Sequence, residues 1–104
     1  MPKKQLKTIL KTCFWEYNFT EEDIISLAKS QNQQEQMFLF IKILENAKEL
    51  IKSMKIFDKE DLENLIESYT LPTFKRDYMA RRLNIIEYYF LDRPLTINEL
   101  TWVA

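Results

Sequence analysis

The chain has 104 residues, 46% of them hydrophobic, and 15 Lys and Arg against 16 Asp and Glu leave a net charge of −1. That length allows one domain with one core, and the near-neutral balance supplies no global field to draw the chain onto nucleic acid. Glycine and histidine are both absent, which excludes P-loop and dinucleotide fingerprints, Ser–His and Cys–His catalysis, and every His-containing zinc site.

The missing glycine also bears on fold. An average chain of this length would carry about seven, and primed hairpin turns rely on them. A hairpin-rich β fold is therefore disfavoured, and helices must close through Asn, Ser, Lys or a Pro stop. Met-Pro-Lys-Lys-Gln at the N-terminus has no apolar signal region, and the longest apolar run, Met37–Ile41, is far too short for a membrane span. A cytoplasmic protein without membrane contact is expected. No cofactor or metal is expected either.

In chain order, Leu6, Ile9, Leu10, Cys13 and Phe14 recur at helical spacing, predicting an amphipathic first helix over 3–14 with its lysines solvated. The lone Cys13 falls on the apolar stripe and reads as a small buried hydrophobe. Trp15–Phe19 alternates apolar and polar residues and reads as an extended connector whose aromatics cover the core. Phe19-Thr20-Glu21-Glu22-Asp23-Ile24 is a helix start: Thr20 caps, Asp23 sits third, and Phe19 can staple onto Ile24. After a polar break at 31–34, the longest helix is predicted over 33–55. Met37, Phe40, Ile41, Ile43, Leu44, Ala47, Leu50, Ile51 and Met54 share one half of its wheel. Phe38 falls on the polar half, which marks it as an exposed aromatic. Phe57–Leu62 repeats the start signal, with Asp58 as cap, and a helix runs to about Tyr69. A second long helix is predicted over 72–91, closed by Asp92-Arg93-Pro94. Leu95–Leu100 writes the signal a third time and opens a short C-terminal helix.

The expected fold is therefore all-α: a single domain over 1–104, an irregular bundle of about five to six helices, with long helices at 33–55 and 72–91 alternating with shorter ones. Phe19, Phe57 and Leu95 are spaced 38 residues apart. That spacing suggests a short-helix, long-helix repeat, or merely the similarity of all capping signals.

Candidate binding residues come from charge and aromatic placement. Lys75, Arg76, Arg81 and Arg82 form the densest basic stretch, but on a wheel Arg76 and Arg81 lie on opposite flanks. Lys75 and Arg82 fall close together within the apolar half, which also holds Tyr78, Met79, Ile86 and Tyr89. A cation there must be paired, must snorkel, or must face a partner. An internal ion pair with Glu45 or Glu67, a partner contact and a phosphate contact all remain open. Phe38 and Tyr88 are the favoured partner anchors, with Trp15 a further one. The carboxylates sit at helix starts, where capping explains them, so an enzyme is not expected.

Three segments together carry a resemblance. Leu10–Phe19 has the Phe-Trp, acidic or aromatic, then Phe opening of a group of small helical bacterial proteins. Ile43–Asn46 followed by Phe57–Leu62 is similar to the group's middle, and Arg76–Asn84 with Phe90–Leu95 to its close. Such proteins are encoded beside nucleotidyltransferase-like toxins of the abortive-infection type. The resemblance implies a non-enzymatic antitoxin that binds a protein partner; no site residue can be carried across from it. A homo-oligomer is compatible with the same composition. The competing reading is a DNA-binding transcriptional regulator, because Ile85–Phe90 through Pro94–Leu100 resembles the first helix, turn and second-helix start of a winged-helix domain. No recognition helix follows within the 104 residues, which ranks this reading second.

Overall fold

A computed structural model describes residues 3–96. Six helices account for 68% of it, with no strand among the described residues. They are α1 (Lys3–Cys13), α2 (Glu21–Ala28), α3 (Gln33–Asn46), α4 (Leu50–Met54), α5 (Lys59–Ser68) and α6 (Arg76–Leu91). The all-α bundle expected from the sequence is the observed architecture. The third start signal lies outside the described residues from Ile97 onward.

The capping box at Thr20 forms as expected. Its hydroxyl accepts from the Asp23 N–H at 3.2 Å while the Asp23 carboxylate accepts from the Thr20 N–H at 2.8 Å. Asp58 takes the same extended backbone at the start of α5, but its side chain makes no capping bond. α6 closes without glycine: Asp92 adopts a left-handed φ of 54°, and the Asp92 and Arg93 N–H groups both turn back to the Glu87 carbonyl. Asp is one of the few residues that tolerates this position. The matched residues of the 38-residue spacing do different work. Asp23 caps its own helix, whereas its counterpart Asp61 receives the Gln36 amide from α3 at 3.2 Å.

α3 is the central element and packs on each of the other five helices. Leu39, Phe40, Ile43 and Leu44 are fully buried in it, and even Gln36 is buried, bridging the Ala28 carbonyl of α2 and Asp61 of α5. A helix covered from several sides does not have one apolar stripe and one wet face. That is why Phe38, expected to be exposed, is half-buried: the turn after α1 lays Phe14 and Tyr17 against it, with ring centroids 5.8 and 6.0 Å away.

The helix expected over 33–55 is interrupted. Ala47 is extended at φ −66°, ψ 131°, and the chain re-enters helix at Leu50. No proline or glycine lies in 44–50 to explain the break. Its cause is Arg82 on α6. The guanidinium donates to the Leu44 and Ala47 carbonyls and, at 3.4 Å, to that of Ile43, while the Tyr78 hydroxyl donates to the Glu45 carbonyl at 2.7 Å. Tertiary donors thus satisfy the Leu44, Glu45 and Ala47 carbonyls that a continuing helix would have used, while the Ile43 carbonyl also keeps its bond from the Ala47 N–H. The kinked segment then turns Leu50, Ser53 and Met54 into the core, where Ser53 accepts from the Gln5 amide of α1 at 3.0 Å. The helix expected over 72–91 begins only at Arg76, because Thr73–Lys75 forms a turn that ends with Lys75 in the left-handed region at φ 55°. That turn lets Leu71 pack on the same core that Met79 enters.

Candidate functional site

α6 turns Met79 and Ile86 fully into the core, with Leu83 and Phe90 packed against it. At 100° per residue those positions hold one side of the helix; Arg81 and Tyr88 face the opposite way, while Tyr78 and Tyr89 stand on one flank with the half-buried Arg82 and Ile85 between them, Ile85 still touching the core. Tyr88 and Tyr89 are 52% and 53% exposed and Tyr78 is 43% exposed; Phe74, in the turn just before the helix, is 76% exposed. The four exposed rings are thus spread over about 20 Å along the helix axis, allowing 1.5 Å per helical residue, with Tyr78 and Tyr89 on one flank and Tyr88 about a quarter turn away.

Cations sit on these rings. The Lys75 ammonium lies 5.5 Å from the Phe74 centroid, the Arg82 guanidinium 5.4 Å from Tyr78, and the Lys55 ammonium of the turn after α4 5.5 Å from Tyr89. Such contacts desolvate the ring faces little and hold the aliphatic stems along them. Between the end of α3 and the start of α6 the surface dips into a recess of about 130 Å³, bordered by Glu45, Pro72, Phe74, Tyr78 and Met79.

The candidate residues separate into groups. Tyr88 and Arg81 lie on the outward face of α6 and are exposed. Arg76 is exposed and its guanidinium donates to the Leu71 carbonyl at 3.4 Å. Lys75 does not share a wheel with Arg82, since it precedes the helix and stands exposed. Arg82 is turned inward, but onto backbone carbonyls rather than onto Glu45 or Glu67; Glu67 is held instead by Arg93, which also reaches Glu87 at 2.8 Å. Phe38 belongs to a separate cluster with Phe14, Tyr17 and Phe19, where Lys42 lies 5.3 Å from the Tyr17 ring. Trp15 projects from the turn beside that cluster and is 74% exposed. The connector is a turn at Phe14–Tyr17 rather than extended throughout.

Sequence reasoning passed over Phe74, Tyr78 and Tyr89 as surface residues because the wheel had assigned the tyrosines to the apolar half. It also missed the buried amides Gln5, Gln36 and Asn84. Asn84 donates to the Pro94 carbonyl at 3.2 Å and accepts from the Thr96 N–H at 2.7 Å, fastening the segment after α6 to the bundle. By register Asn84 lies away from the core side of α6, so helical periodicity gave no signal of a burial that the segment at 94–96 imposes.

Nothing among the described residues groups three His, Cys, Asp or Glu side chains as a metal site. Burial pushes the Cys13 thiol up, with Thr12, Arg82 and Lys42 pulling the other way, so it stays protonated and poorly nucleophilic at neutral pH. No helix of the described residues is long and apolar enough to cross a membrane. Comparison of the chain with protein families, curated proteins and solved structures found no match.

Proposed function

We propose that this chain is a non-enzymatic, cytoplasmic protein-binding module whose partner is a co-encoded nucleotidyltransferase-like toxin that it restrains. The observation that supports binding is the row of exposed rings on α6. Isolated apolar side chains are ordinary on a surface, but four large exposed aromatics on one helix and the turn before it are more than scatter, and Tyr anchors dominate binding energy at interfaces. Arg81 and Lys75 border the row, where charge steers association more than it holds it. Trp15 on its exposed turn is a second contact point. The identity of the partner rests on the sequence resemblance described above.

The experiment is co-expression with the product of the neighbouring gene. A toxic neighbour becomes harmless and co-purifies with this protein, and relief is lost on Tyr88→Ala combined with Tyr89→Ala. A neighbour that is harmless alone, or equally toxic with and without this protein, refutes the antitoxin reading. Nanomolar binding to a defined duplex with a steep salt dependence would replace it with the transcriptional regulator.

A further inference from the structure

We propose that, when no other partner is bound, the flank of α6 bearing Tyr78 and Tyr89 closes on a second copy of this chain, with the two helices antiparallel about a two-fold axis between Arg82 and Ile85. The inference rests on that face being the interaction surface. A two-fold contact requires a surface that complements itself when turned end for end. Turning α6 about a point between Arg82 and Ile85 sets Tyr78 of one copy against Tyr89 of the other, so rings meet rings, with Tyr88 outside the central stripe. The bordering charges match in the same operation. Glu45 flanks Tyr78, whose hydroxyl holds its backbone carbonyl, and Lys55 lies over Tyr89; both charged residues are exposed. Each copy's Glu45 is therefore brought toward the other's Lys55, giving two opposite-charge pairs per dimer. A parallel arrangement would oppose Glu45 to Glu45 and Lys55 to Lys55.

The exposed area suits a weak contact. Phe74, Tyr78, Tyr88 and Tyr89 at their observed exposures offer roughly 400–500 Å² at about 200 Å² per ring. A standard interface buries about 800 Å² per partner, so this face, with Arg81 and the lysine stems at its rim, falls in the range of weak, reversible contacts. A second copy seated there covers the rings, so self-association and capture of another protein compete for one surface.

Sedimentation velocity on the full chain at low salt tests this. The wild type forms a reversible dimer with a micromolar Kd. Glu45→Lys alone and Lys55→Glu alone each weaken it about tenfold, because like charges then face each other. The double variant Glu45→Lys with Lys55→Glu returns to within about threefold of wild type, since the pairs re-form with signs exchanged. All four proteins should give the same helical spectrum, as neither position is buried. A chain that remains monomeric at about 300 µM, well above a micromolar Kd, overturns the proposal, as does a double variant no tighter than the singles. Toxin relief scored in cells is independent: a dimer without relief sinks only the antitoxin reading, and relief without a dimer sinks only this one.

Discussion

Arg82→Ala removes the side chain that ends α3. Three backbone carbonyls, those of Ile43, Leu44 and Ala47, lose a charged donor, and hydrogen bonds to charged groups contribute about 1.5–3 kcal/mol. The cation at a helix C-terminus adds about 0.3–1 kcal/mol, and its stacking on Tyr78 about 0.5 kcal/mol. The site is only half-buried, so water recovers part of this loss, and the expected destabilisation is about 2–3 kcal/mol. For a domain of this size that lowers Tm by about 10–20 °C. Chemical denaturation followed by circular dichroism reads the first quantity, and a thermal melt the second. Arg82→Lys keeps the charge but cannot fork over three oxygens, so it should cost about half as much. Hydrogen exchange should rise at Ala47, whose N–H closes the last turn of α3 on Ile43. Glu45→Gln separates this mechanism from an ion pair: with carbonyls as the acceptors it leaves stability unchanged. An Arg82→Ala variant within about 0.5 kcal/mol of wild type, the range of an ordinary surface substitution, would refute the capping role.

Asn84→Ala should cost about 1–2 kcal/mol, because a buried amide that joins α6 to Pro94 and Thr96 is lost; limited proteolysis should then cut near residue 94 sooner than in the wild type. Cys13 should resist iodoacetamide in the native protein and react only on unfolding. Its raised folded-state pKa means the unfolded chain releases the thiol proton first, near the ordinary value of 9.0. Stability should hold below that pH and fall as pH rises from there toward the folded value, and Cys13→Ala should remove that slope; an unchanged slope would refute burial as its cause.

Much of the fold was legible because it is local. Thr20 and Asp23 lie three residues apart, and that spacing alone writes the capping box. Leu6, Ile9 and Cys13 are buried along α1 because their periodicity matches a helix with one covered side. Asp92 closes α6 where proline two residues later forbids continuation. The candidate site was less legible, since exposure depends on what the rest of the chain places alongside a helix.

The sequence by itself determined the all-α class, the positions of α1, α2 and α5 and the absence of glycine- or histidine-dependent chemistry, all of which follow from residue types and their local spacing. Only the tertiary structure decided that α3 stops at Asn46, because the donors that stop it come from α6, some 35 residues away in the chain. It likewise decided that Phe38 is covered and Tyr89 is not. A wheel assumes one packed side per helix, and α3, in contact with every neighbour, breaks that assumption, whereas among the described residues α6 leaves Tyr78, Tyr88 and Tyr89 about half exposed, aromatics that hydrophobicity alone would have buried.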